Sequence, residues 1–567
     1  MKKTAAIGIA FAALLLSSAA APAADYDVLI KGGTIYDGSG GAPFVGDIGI
    51  KGDKIAYVGP QATGTASTVV DAAGEAVSPG FINMLSWANE DLIADGRGMS
   101  GTYQGVTLEV FGEGDSMGPL TPEMKRLEVK RQTDIKYPIR WTTLGQYLNW
   151  LTNKGITPNV TSFIGATTAR VHELGEKDVD PAPAQLDRMR ALVRQAMKEG
   201  AVGVGSSLIY APATYAETPE LAALASEAAK CGGMYISHMR DEGPKLLEAI
   251  DELVTISRQS GAPAEIYHFK QAGKSNWGKI DSAIAKVDEA RASGLRITAD
   301  MYTYAASSTG FDAAFPTWMQ DGGLEAWIKR LKDPTLREQA IAEMDGPKGT
   351  ENAKLVVDEP DKVLLVGFKT ARLKPLTGKT LAEVARMRGK SSAETAAELI
   401  VEDGTRIQVV YFSMNPDNVK REVALPWMSF GSDAGSQAPE GVFLKSSTHP
   451  RAYGNVARLL GHFVRDEKAT TLESAIHRLS WLPATNLRIR GRGALRQGYY
   501  ADVVVFDPAT IRDNATFEKP QQLASGVRDV FVNGVQVLKD GKHTGAKPGR
   551  FVHGPGWTGW PDGGACK

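Results

Sequence analysis

Between Val202 and Asp300 the chain repeats one unit: a short apolar run, a polar loop, a helix, then another apolar run. Val202-Gly203-Val204-Gly205-Ser206 leads into a loop. Thr218-Pro219 then opens a helix, with proline at an early position, that closes at Gly232-Gly233. The run Met234-Tyr235-Ile236-Ser237-His238 follows, then residues 265–269, a helix near 279–293, and residues 295–300. Repeated β/α units of this length imply a parallel sheet, although periodicity does not separate a closed barrel from an open doubly wound sheet. Two of the apolar runs end in histidine, as Met-Tyr-Ile-Ser-His238 and Glu-Ile-Tyr-His268. In a barrel the C-terminal strand ends share one mouth. Two imidazoles delivered there are either a metal site or a pair of hydrogen-bonded core histidines.

The two ends of the chain read differently. Residues 27–30, 34–36, 47–51, 55–58 and 68–71 are short β segments separated by glycine turns. Residues 501–507, 527–533 and 535–538 have the same texture. The ends, 25–78 and 489–567, are therefore expected to be halves of one small β-sandwich, with the α/β segment 79–488 between them. From about 311 to 420 the alternation gives way to helical, charged sequence, expected to be an insertion over the barrel mouth. At 567 residues the chain has the length for a large barrel plus a second domain. A formal net charge of -1 offers no electrostatic footprint for nucleic acid or an anionic membrane.

Residues 1–24 read as a cleaved secretory signal: Met1-Lys2-Lys3, an apolar run over 4–16, and the small-residue pattern Ala21-Pro22-Ala23. The apolar run is too short to span a membrane. A periplasmic or secreted location follows, with no membrane association after cleavage. Only two cysteines occur, Cys231 and Cys566, and both are expected to be unpaired.

Six segments in order carry the candidate chemistry: Pro79-Gly80-Phe81-Ile82-Asn83-Met84-Leu85-Ser86-Trp87, Gly105 to Gly114, Ser237 to Glu242, Tyr267-His268-Phe269-Lys270, Asp300 to Tyr304, and Phe430-Gly431-Ser432-Asp433. Together with His449-Pro450-Arg451 and Gly498 to Pro508, this order resembles the amidohydrolase superfamily, and within it the D-aminoacylase branch. The resemblance runs from about Tyr26 to Arg550. It implies a TIM-like (β/α)8 metal-dependent hydrolase barrel with a small β-sandwich, holding zinc through His238 and His268, with Asp433 as general acid/base. It also implies that Lys270, Tyr302 and Arg451 hold a substrate carboxylate and that Tyr210 lines the pocket. Guanidinium and ammonium groups suit a carboxylate, the first as a fork and the second as a point charge.

The chain departs from this family at Leu85-Ser86-Trp87, where members carry His-x-His for a second metal position. Neither leucine nor tryptophan ligates zinc, so one ion is expected. The branch's cysteine ligand matches Gly114, leaving Glu113 to complete a His₂Glu site, with Glu109 and Asp115 as rivals. Arg240 is expected to order Asp241 or Glu242, and His449 to support Arg451. The implied reaction is hydrolysis of a linear amide in a small carboxylate-bearing molecule, foremost an N-acyl-D-amino acid. Rival readings are a D-aminoacyl dipeptidase, a cyclic-amide hydrolase, or a barrel that binds ligand without catalysis.

Overall fold

A computed structural model describes residues 24–566; the expected signal segment lies, but for Ala24, outside the described residues. Eight parallel strands close into a barrel. In chain order they are β1 (Phe81–Asn83), β2 (Val106–Phe111), β3 (Asn159–Ser162, continued by Ile164–Gly165), β4 (Gly203–Ser207), β5 (Met234–His238), β6 (Ala264–Ile266), β7 (Ile297–Met301) and β8 (Met428–Phe430). Each of β1 to β3 pairs in parallel with the next, and so does each of β3 to β8. The amide of Met84, just past β1, bonds the Phe430 carbonyl of β8 at 3.1 Å and closes the ring. Closure settles the ambiguity that periodicity left open: the sheet has no edge.

Every residue of β2, β4, β5 and β7 is buried, as expected of strands with helices outside and side chains filling the barrel inside. The helices Thr218–Lys230 and Ile280–Ala292 fall where the sequence places them.

The chain ends meet in one nine-stranded sheet. Val503–Phe506 lies antiparallel to Ala76–Pro79 and so joins the C-terminal strands to the N-terminal ones. Ile48 and Ile55 share one core with Val503, Val505 and Phe531, so the sheet folds over on itself as a sandwich does. The alternate residues Val504, Phe506 and Val530 join the main barrel core. Both faces of Val503–Phe506 are thus covered, which explains its unbroken apolar run.

Residues 307–411 form a body with its own core around Trp327, Leu331, Ile400 and Tyr411. The sequence suggested helices alone, yet this body contains a three-stranded antiparallel sheet of Ser307–Gly310, Val363–Gly367 and Gln408–Tyr411. Its strands are too short and too widely separated in sequence to show as a pattern.

One expectation is overturned. Cys231 and Cys566 form a disulfide across 335 residues of sequence. The C-terminal tail folds back under the barrel: Gly554 bonds the Gly200 carbonyl at 2.8 Å and Thr558 the Lys198 carbonyl at 3.1 Å, bringing Cys566 to the end of helix Thr218–Lys230. No local sequence signal announces a contact of that range. Among the described residues no helix is long and apolar enough to cross a membrane.

Candidate active site

The C-terminal ends of the strands deliver the candidate residues to one place. Glu113 follows β2 between Gly112 (φ 105°) and Gly114 (φ 74°). A Cβ on Gly112 would lie 2.4 Å from the Phe163 carbonyl oxygen, and one on Gly114 would lie 2.4 Å from Ser207 Cβ. Glycine on both sides lets this loop press against β3 and β4 and aim Glu113 across the mouth. His238 is the last residue of β5. His268 lies two residues beyond β6 rather than within it, at φ 35°. Asp433, three residues past β8, has φ 48°. Non-glycine residues are held in this left-handed region only where their surroundings insist. For His268 the restraint is visible: its amide donates to Asp300 Oδ1 at 2.8 Å.

Glu113 Oε1 lies 3.0 Å from His238 Nδ1 and 3.0 Å from His268 Nε2. These three ligand atoms all lie within 4.8 Å of one another. One carboxylate oxygen and two imidazole nitrogens form the His₂Glu donor set that suits a divalent cation with an open position. Burial and Lys270 would lower His268, but the Glu242 and Glu113 carboxylates raise it to about 10. It must therefore release a proton to ligate, whereas His238 and Glu113 stand in their ligating forms. Burial lowers His238, favouring its neutral, ligating form. Burial would raise the Glu113 carboxyl, but the two imidazoles outweigh it and hold it well below the usual carboxylate range. The rivals are placed elsewhere. Glu109 accepts from Asn83 Nδ2 at 2.7 Å, and Asp115, which is exposed, is outside the cluster.

Behind the histidines stands Glu242. Its Oε1 lies 2.9 Å from His268 Nδ1 and 2.5 Å from Lys270 Nζ, and its Oε2 3.6 Å from His238 Nε2. Lys270 is therefore engaged with Glu242, and with His268 Nδ1 at 2.7 Å. Arg240 does not order this carboxylate, contrary to expectation. It binds Glu252 at 2.9 Å and the carbonyls of Thr214 and Ala216, because its side chain points down the helix Leu246–Ser260 rather than into the mouth.

On the opposite wall Arg451 Nη2 pairs with Asp433 Oδ2 at 2.7 Å, and the guanidinium stacks 4.3 Å above the Tyr302 ring. Arg451 Nε and Nη1 and the Tyr302 hydroxyl are buried without a partner. His449 supports this arginine as expected, its Nδ1 accepting the Arg451 amide at 3.0 Å while its Nε2 bonds the Ala306 carbonyl. Tyr210 packs edge-on against His238, with ring centroids 5.2 Å apart, and its hydroxyl bonds Thr309 Oγ1 at 2.7 Å. Thr309 and Ser308, whose carbonyl meets Arg451 at 3.3 Å, come from the inserted body, and sequence gave no signal for either. The other five histidines stand apart: His172, His462, His477, His543 and His553 pair with surface groups, backbone or aromatic rings.

A family model, the Amidohydrolase family, matches residues 68–538 of this chain, the span that contains both imidazoles and the carboxylate. The chain belongs to the amidohydrolase family. It is 31% identical to the D-aminoacylase of Alcaligenes xylosoxydans xylosoxydans, over 93% of this chain and 97% of that one. It also superposes on a solved D-aminoacylase with a binuclear metal centre, described for one-metal activation and second-metal attenuation (TM-score 0.77, 30% identity, 93% and 100% of the two chains). A third relative is the N-acyl-D-glutamate deacylase of Bordetella bronchiseptica, solved with zinc and a phosphonate inhibitor (TM-score 0.76, 27% identity, 93% and 99%). This amidohydrolase thus lies in the D-aminoacylase branch, whose members are hydrolases of amide C–N bonds. Its His₂Glu cluster suits the divalent metal that such enzymes use.

Proposed function

We propose that this amidohydrolase is a periplasmic or secreted single-zinc deacylase of N-acyl-D-amino acids. Glu113 wedged between His238 and His268, with Asp433 and Arg451 on the facing wall, carries the reading. Glu113, His238 and His268 would hold a divalent cation, which would supply Lewis acidity and a nucleophilic water near neutral pH. The remaining work falls to the protein. Burial raises the Asp433 carboxyl while Arg451 opposes that shift, which suits a group that takes a proton from water and returns it to the leaving nitrogen. The unpaired donors of Arg451 and the Tyr302 hydroxyl fit a substrate carboxylate, since buried donors left unpaired cost about 1–3 kcal/mol each. Lys270 adds positive charge, and Tyr210 and Thr309 bound the pocket. The two-cysteine staple supports an oxidising compartment.

The test is deacylation of N-acetyl-D-amino acids and their L-isomers by purified protein, with zinc removed by chelator and added back. Activity should vanish and return, and His268→Ala should lose the metal. Arg451→Ala should raise KM strongly for carboxylate substrates, and should lower kcat as well because Asp433 loses its ion-pair partner. Protein without stoichiometric metal, and without zinc-restored activity on any N-acyl-D-amino acid, refutes the reading.

A further inference from the structure

The segment Leu85-Ser86-Trp87 continues β1 into the mouth, where its backbone is held from both sides. The Ser86 amide bonds the Val110 carbonyl of β2 at 2.9 Å, and the Trp87 amide bonds the Ala434 carbonyl beside Asp433 at 3.0 Å. Leu85 points into the core and is fully buried, whereas Trp87 is 42% exposed. Its indole lies in the mouth itself. Trp87 Nε1 is 3.0 Å from Glu113 Oε2 and 3.1 Å from Asp433 Oδ1, so one N–H is shared between the two carboxylates.

That contact completes an assignment of all four carboxylate oxygens. Glu113 Oε1 faces His238 and His268, and Glu113 Oε2 accepts from Trp87. Asp433 Oδ1 accepts from Trp87, and Asp433 Oδ2 pairs with Arg451. Two carboxylates facing one another across a narrow space repel, and a cation between them is the usual remedy. Here the indole N–H stands between them, a fixed dipole that carries no net charge and ligates nothing.

We propose that Trp87 is a positioning residue that does the work of a second cation. Its N–H holds Asp433 at a set place beside Glu113, keeps Glu113 Oε2 out of metal coordination, and confines the site to one metal ion even when metal is in excess. The inference rests on the reading of Glu113, His238 and His268 as the metal ligands.

The experiment measures zinc content and steady-state kinetics on an N-acetyl-D-amino acid at graded free zinc, for the parent, Trp87→Phe and Trp87→His. The parent should hold one zinc per chain and keep its kcat in excess zinc. Trp87→Phe keeps the ring and loses the N–H. It should retain one tightly held zinc, which shows that the site has folded. Its kcat should fall on the order of 10–100-fold, with KM near the parental value, as when a group that orients a metal site is removed. Trp87→His puts a ligating nitrogen beside the same carboxylates and should take up a second zinc, with excess zinc now changing its rate. A parent with two zinc ions, or a Trp87→Phe variant with parental kcat, overturns the inference and leaves the deacylase reading standing. A parent with no zinc overturns both.

Discussion

Glu242 shows how much of a metal site rests on residues that do not touch the metal. It faces the outer nitrogens of both histidines, and Lys270 and the two imidazoles hold it ionised despite burial. Such a partner fixes the tautomer and the ring orientation of a ligand. Glu242→Gln should therefore weaken zinc binding on the order of 10–100-fold, read by competition with a chromogenic chelator; an unchanged affinity would show that the ring orientations are set elsewhere. The residues 238–242, His-Met-Arg-Asp-Glu, offer three charged candidates for this role, and sequence pairs them in the wrong combination. Arg240 leaves for Glu252, and Glu242 turns inward. Glu113 was legible through the resemblance, which matches the branch's cysteine ligand to Gly114 beside it, and its carboxylate does lie 3.0 Å from both imidazoles. Trp87's bridging bond was not legible, because nothing in a sequence reports which oxygen an N–H will reach.

Among the elements, the strands that carry chemistry were readable from apolar runs ended by polar residues, and the ends of β5 and β7 fall close to where that pattern puts them. His268 was misjudged by one structural step. The Tyr267 amide still bonds the Ser237 carbonyl of β5 at 2.9 Å, and the extended backbone breaks only at His268, whose φ is 35°. The helix Pro416–Val423 hides a different surprise. Glu422 is buried on it with neither carboxylate oxygen bonded, and desolvation pushes its pKa up to about 8. The folded state then binds a proton that the unfolded chain releases near pH 4.5, so this group's contribution is complete below that pH and is lost as pH rises towards 8. Glu422→Gln removes the titration. It should match the parent in thermal midpoint at pH 5 and exceed it at pH 8, and a constant offset across that range would assign the effect to packing instead.

At the scale of the whole molecule the barrel has two working faces. The mouth holds the candidate chemistry, and the opposite face is covered by the tail that Cys566 fastens to Cys231. A cross-link over so long a loop restrains mainly the unfolded chain, and its removal costs roughly 2–5 kcal/mol. Cys566→Ser should lower the thermal midpoint and leave kcat, KM and zinc content at parental values; a change in KM would reveal coupling through the barrel. The sequence placed both ends in one β body from their shared strand-and-glycine texture, yet gave no hint of this fastening, which joins residues with no common pattern.

The separation of staple and chemistry onto opposite faces has a practical corollary. A preparation of this protein can age in two independent ways. On the single-zinc reading, chelation should silence it reversibly, with the fold retained. Reduction of the Cys231–Cys566 bond should shorten its lifetime while each surviving molecule keeps its rate. An assay of rate alone cannot tell a half-dead stock from a half-empty one, and paired measurements of zinc content and free thiol can.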